Sequence, residues 1–144
     1  MTTLYHEIEV MTSPDRVWSL LTTRAGLNRW WPGEISIHGG DSWRFQHEDH
    51  DVTLVFRVVE EVPDKVLEWL CVQGEDDFHN TLVHWRIGRK EAGLSLIAEH
   101  RDLRKSAEQL ARLNTQWGIW MERLRDQLQQ EIDTLDDEDL NAWT

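Results

Sequence analysis

Near Lys105 the spacing of apolar residues changes from every second position to every third or fourth, and that change leaves few folds open. Downstream, Leu110, Leu113, Trp117, Trp120, Met121, Leu124, Leu128 and Ile132 form one stripe among charged neighbours, the pattern of a helix with one dry side. Upstream, alternation at a period of two marks strands with one dry face. A dry stripe and a dry face can cover one another, so the period change predicts an α+β domain: a sheet closed by one long C-terminal helix. A helix of about 27 residues would be ~40 Å long, enough to cross the sheet.

The order of elements follows from local signals. Leu4, His6, Ile8 and Val10 alternate with Tyr5, Glu7 and Glu9, which gives a first strand. Ser13 is placed to cap a helix, Pro14 suits its first position and Asp15 favours the positive end of its dipole. Val17, Trp18, Leu20 and Leu21 form the buried side of that helix, and Gly26 is read as the break before a second short helix ending at Trp30, Trp31 and Pro32. Between Glu34 and Arg101, turn signals at Gly39-Gly40, His47 to Asp51, Pro63-Asp64, Gly74 to Asp77 and Arg89 to Gly93 divide six further strands, for about seven in all, joined mainly as hairpins and therefore antiparallel. Trp43 and Phe45; Leu54, Phe56 and Val58; Leu67, Trp69 and Cys71; Val83, Trp85 and Ile87; and Leu94, Leu96 and Ala98 share the inward parity. Arg44, Arg57, Glu68, Arg86, Ser95 and Glu99 share the outward one, with Val55, Val59 and Ile97 as exceptions. Gly118, in the middle of the long helix, marks close packing or room for another group. Residues 1–132 are read as a single domain and 133–144 as an acidic, solvated tail.

Charge and cysteine content narrow the partners. The formal charge is −12, and the last fourteen residues hold six acids and no base, so half of the excess resides there. An acidic surface repels nucleic-acid phosphates and anionic lipid, so neither nucleic acid nor membrane is expected as a partner. The single cysteine, Cys71, permits no internal disulfide and no multi-thiolate metal site. MTTLYHEIEV has no basic segment followed by an apolar run, and no stretch reaches the ~20 apolar residues of a membrane span, so a cytoplasmic location is expected.

Motifs for chemistry are sparse. His47-Glu48-Asp49-His50-Asp51 crowds metal-ligand types, but its histidines are three apart at a hairpin tip and do not match a helical zinc site, so it is read as a solvated turn. No phosphate-binding or dinucleotide-binding glycine pattern occurs, and no cofactor or metal is expected. Cys71 has inward parity beside Trp69, where burial keeps a thiol protonated. His6 and His100 also point inward and are the histidines to examine as proton carriers, whereas Glu68 and Glu99 point outward and form no inward acid and base pair. No catalytic residue is assigned.

The sequence resembles the START-like (SRPBCC) superfamily, and within it the family similar to the C-terminal domain of the heat-shock-protein-90 ATPase activator. The resemblance rests on Ser13-Pro14 with Val17-Trp18, Trp30-Trp31, Gly39-Gly40 before Trp43 and Phe45, Val62-Pro63 before Leu67 and Trp69, Gly93-Leu94 through His100, and Trp117-Gly118 with Leu124. It implies a helix-grip fold, a curved antiparallel sheet wrapped on the long helix, with a cavity between them. Nine tryptophans set this chain apart, and they either fill that cavity or wall it. The first functional expectation is binding of a hydrophobic or aromatic small molecule, with Trp43, Phe45, Phe56, Trp69, Trp85, Trp117, Trp120 and Met121 as the ligand-binding set. The alternatives are a cyclase or hydrolase that moves a proton with His6 or His100 in the same pocket, and a chaperone-associated interaction protein or homodimer.

Overall fold

Each alternating stretch forms a strand, and residues of one parity share a face. The computed structural model describes residues 1–48, 53–74 and 78–142, with side chains described as far as residue 129. Its elements are β1 (Thr2–Val10), α1 (Pro14–Thr22), α2 (Arg24–Trp30), β2 (Gly33–Ile37), β3 (Ser42–His47), β4 (Thr53–Val62), β5 (Val66–Gln73), β6 (Leu82–Lys90), β7 (Gly93–Leu103) and α3 (Ala107–Ala142). The seven strands form one antiparallel sheet in the order β1-β7-β6-β5-β4-β3-β2. From β2 to β7 every strand pairs with its chain neighbour, as hairpins require. The exception is the step from β1 to β2, in which α1 and α2 carry the chain from one edge of the sheet to the other.

The turns explain themselves locally. Between β4 and β5 the Lys65 N–H donates to the Val62 carbonyl at 3.0 Å, with Pro63 at the second position and Asp64 at φ 64° in the third. Proline presets the first bend, and a short polar side chain tolerates the left-handed second one. At the N-terminus of α1, Ser13 and Pro14 stand where the sequence put them, but the Ser13 hydroxyl makes no cap bond to the helix. A hydrogen bond to Ser13 instead lowers the Asp15 pKa.

Two glycines have roles different from those expected. The break between α1 and α2 lies at Thr23, whose hydroxyl accepts from the Gly26 N–H at 2.9 Å. Gly26 is inside α2, and a Cβ there would sit 2.1 Å from the Ser19 carbonyl oxygen, so it is a point of close approach between the two helices. Gly118 is the reverse case: it is exposed, and a Cβ would meet nothing within 4 Å, so it marks neither close packing nor a ligand.

α3 starts with a reciprocal cap. The Ser106 N–H donates to Gln109 Oε1 at 2.9 Å and the Gln109 N–H to Ser106 Oγ at 3.3 Å, which satisfies two of the free amides of the first turn. The helix has 36 residues rather than about 27. No glycine or proline follows Gly118 to stop it, and the acidic segment expected as a tail is helical as far as Ala142. At the opposite end of the junction, Arg123 Nε donates to the Trp30 carbonyl at 2.6 Å and pins α3 to the C-terminus of α2.

The inward sets lie against α1, α2 and α3 and form the core. On the outward face Glu68 reaches His84 Nδ1 at 2.7 Å, and Arg101 Nε donates to Glu99 at 3.0 Å. Val55, Ser95 and Ile97 are buried despite outward parity. Ile97 lies in register between Glu7 and Arg86, neighbours long enough to cover it.

Candidate functional site

Indole and phenyl rings fill the junction between sheet and helix. Trp117, Trp85, Trp69, Phe45, Trp31 and Trp120 make a closed circuit of ring contacts with centroids 5.0–5.6 Å apart. Most of the rings meet edge to face, the arrangement that the aromatic quadrupole favours. Phe56 packs on both Phe45 and Trp69, and Met121 is buried in the same cluster.

His100 is locked into this core. Only 2% of it is exposed. The Trp117 indole N–H donates to its Nδ1 at 3.1 Å, and its Nε2 lies 2.9 Å from Thr81 Oγ1, whose hydroxyl donates to the Phe78 carbonyl at 2.6 Å. With Nδ1 accepting, the proton must reside on Nε2, so the imidazole is neutral and both nitrogens are engaged. Burial, with a smaller contribution from the Lys105 charge, pulls its pKa down to about 3. His6 is half-buried, stacked on Trp117 at 6.1 Å, and its pKa is lowered by burial against a hydrogen bond with Asn114. Burial pushes the Cys71 thiol up to about 11, as an inert core cysteine requires.

The open space lies at one end of the junction, beside the first three turns of α3. It is a cavity of about 460 Å³, within the range of small-molecule sites. Trp31, Leu54, Phe78, Leu113 and Trp120 give it apolar walls. His47, Lys105, Gln109, Arg112 and Gln116 complete its lining. From α3 the contributors are residues 109, 112, 113, 116 and 120, a helical face rotated slightly from the core stripe. The Trp120 Nε1–H is buried and has no acceptor among the described residues, as is also true of Trp69 and Trp85.

Of the eight residues expected to bind a ligand, Trp120 lines this cavity. Trp43 borders a separate groove with Gly39, Gly40 and Leu67. Phe45, Phe56, Trp69, Trp85, Trp117 and Met121 pack among themselves and with the core. Sequence reasoning missed Arg112 and Gln116, although their helical phase with Leu113 was available, and it missed Lys105, which precedes α3. It offered no signal for Phe78, which lies outside any strand. Among the described residues no group of three potential ligands could hold a metal ion. Residues 49–51 of the histidine-rich turn and Trp143 lie outside the described residues. No described helix is long and apolar enough to cross a membrane.

A seven-stranded antiparallel sheet gripping a long C-terminal helix, with a recess where the two part, is the helix-grip fold of START-like proteins. The chain belongs to the family described as Activator of Hsp90 ATPase homolog 1-like protein, whose model matches residues 11–130. Among solved structures it is similar to the Aha1 dimer of Colwellia psychrerythraea, with a TM-score of 0.78 and 25% identity over 89% of this chain and 96% of that one. A protein from Mesorhizobium loti superposes with a TM-score of 0.74 at 18% identity, covering 90% of this chain and 98% of its own. DynU16, a protein in the dynemicin biosynthetic locus, gives 0.73 at 19% identity over 88% of this chain and 47% of its own. No curated protein matches the chain.

Proposed function

We propose that this protein binds a hydrophobic, ring-containing small molecule in the cavity beside the first turns of α3. The supporting observation is the shape of the junction. Aromatic packing occupies its middle, yet about 460 Å³ stays open at one end against Trp31, Phe78, Leu113 and Trp120. Burial of apolar ligand surface there would supply the driving force, at ~25 cal/mol per Å² before the cost of lost freedom. The buried Trp120 N–H, without an acceptor among the described residues, offers a polar handle. The family's helix-grip architecture agrees with a ligand-binding or cyclase-like role in general.

Titration with neutral ring compounds, followed by calorimetry and by quenching of tryptophan fluorescence, tests this reading. Binding is expected to quench Trp31 and Trp120, and Gln116→Phe, which adds a ring at the cavity lining, is expected to weaken it with the circular-dichroism spectrum unchanged. Binding that survives Gln116→Phe unaltered would place the ligand elsewhere.

An enzymatic reading has one observation in its favour. His47 lines the cavity and meets Trp31 edge-on at 5.7 Å. Elsewhere in the core, both nitrogens of His100 are hydrogen-bonded, and His6 stacks on Trp117 and bonds with Asn114. A cyclase-type reaction in this cavity would have the His47 imidazole at its wall, and recovery of every bound compound chemically unchanged would remove this reading. Self-association is the third reading, supported by the dimer of the Colwellia protein. Light scattering that gives a monomer mass at all accessible concentrations would exclude it.

A further inference from the structure

The two edges of the sheet are finished differently. At one edge α2 covers β2: the Ile35 N–H donates to Asn28 Oδ1 at 2.9 Å, and Arg24 Nε donates to the Ile35 carbonyl at 3.3 Å. At the other edge β1 is nine residues long and bonds to β7 along one side. Among the described residues no hydrogen bond from any other element reaches its backbone, so a row of amides and carbonyls stays open along it. Free edges are commonly protected by proline, lysine or charges on the inward face. β1 has no proline or lysine, its acids Glu7 and Glu9 are exposed on the outward face, and its single irregularity lies near its start, between Thr2 and Leu4.

What such an edge can pair with follows from its own sequence. A second β1 laid antiparallel about a two-fold axis at His6 overlaps all nine residues. On the inward face Leu4 then meets Ile8 and Thr2 meets Val10, while on the outward face Tyr5 meets Glu7 and Thr3 meets Glu9. Burial draws His6 toward its neutral form, so no two like charges oppose one another. Neighbouring registers lose this match: an axis at Glu7 sets that acid against its own copy, and an axis at Tyr5 parts Leu4 from Ile8. Half-buried Leu4 gains apolar cover that it lacks in the single chain. α3 leaves room for the second copy. Asn114, hydrogen-bonded to His6, places its turn beside β1, and Ala111 and Gly118, about one turn away on the same side, are exposed and small.

We infer that the β1 edge is the surface on which two copies of this chain pair, strand against strand about a two-fold axis at His6, joining their seven-stranded sheets into one. This rests on the self-association reading, and it adds the surface, the symmetry and the register.

Sedimentation of the full chain over a concentration series measures the dimerisation constant. Thr3→Lys, opposite Glu9 of the second copy, is expected to tighten it by roughly threefold to tenfold, and Thr3→Glu to weaken it by as much, with the circular-dichroism spectrum unchanged in both. The double variant Tyr5→Cys with Glu7→Cys is expected to give a disulfide-linked dimer on mild oxidation. Thr3→Cys alone is expected to give none, because its two copies lie about 20 Å apart in this register. Dimers that are indifferent to the charge at position 3, that do not cross-link through positions 5 and 7, or that cross-link as well through position 3 overturn the assigned pairing and leave self-association standing. A monomer at every accessible concentration, with no cross-linked product, removes both.

Discussion

His100 shows how one buried polar side chain can be made costless to the fold and unusable for chemistry. Trp117 donates to one nitrogen and Thr81 accepts from the other, so the neutral ring is fully satisfied while a proton on Nδ1 would have to displace an indole N–H. The native pKa of about 3 lies below the ordinary value of 6.5. Between these values the unfolded chain binds a proton that the folded chain refuses, so stability falls as pH drops from about 6.5 towards about 3. His100→Gln, which can still accept from Trp117 and donate to Thr81, is expected to remove much of this acid sensitivity at little cost near neutral pH. His100→Leu leaves the Trp117 N–H without an acceptor and is expected to cost about 1–3 kcal/mol. Urea unfolding at several pH values measures both, and an unchanged acid limb in His100→Gln would show that another group sets it.

Among the elements, α1, α2 and α3 show which helical signals can be read from sequence and which cannot. Pro14 and the apolar residues of α1 act as their types suggest because a first helical turn and a dry stripe depend on near neighbours alone. Glycine is harder to read, since its meaning depends on what lies opposite. Gly26 faces the Ser19 carbonyl and Gly118 faces open space, a difference invisible in the chain. Gly118→Ala is therefore expected to stabilise the protein by about 0.5–1 kcal/mol through helix propensity. Gly26→Ala is expected to destabilise it by roughly 1–3 kcal/mol, since the backbone of α1 must move to admit a methyl group. Thermal unfolding of the two variants should shift in opposite directions, and a shared direction would contradict the packing assigned to one of them.

For the molecule as a whole, the −12 charge makes stability depend on salt. Screening relieves repulsion among the excess acids, so moderate salt is expected to raise the melting temperature by a few degrees, on the order of 1 kcal/mol. Melting curves across a salt series check this, and a melting temperature that falls with salt would show that favourable ion pairs outweigh net repulsion. Alternation, the period change at Lys105 and the hairpin turns determined in advance the seven strands, the inward residues and the closing helix, because each depends on a residue's chemistry and its neighbours within a few positions. Only the tertiary structure decided that Phe45, Trp69, Trp85 and Trp117 pack together while the cavity opens beside Lys105, Arg112 and Leu113. Parity gives the direction of a side chain, but whether it meets another ring or a hollow depends on the volume left between surfaces brought together from distant parts of the chain.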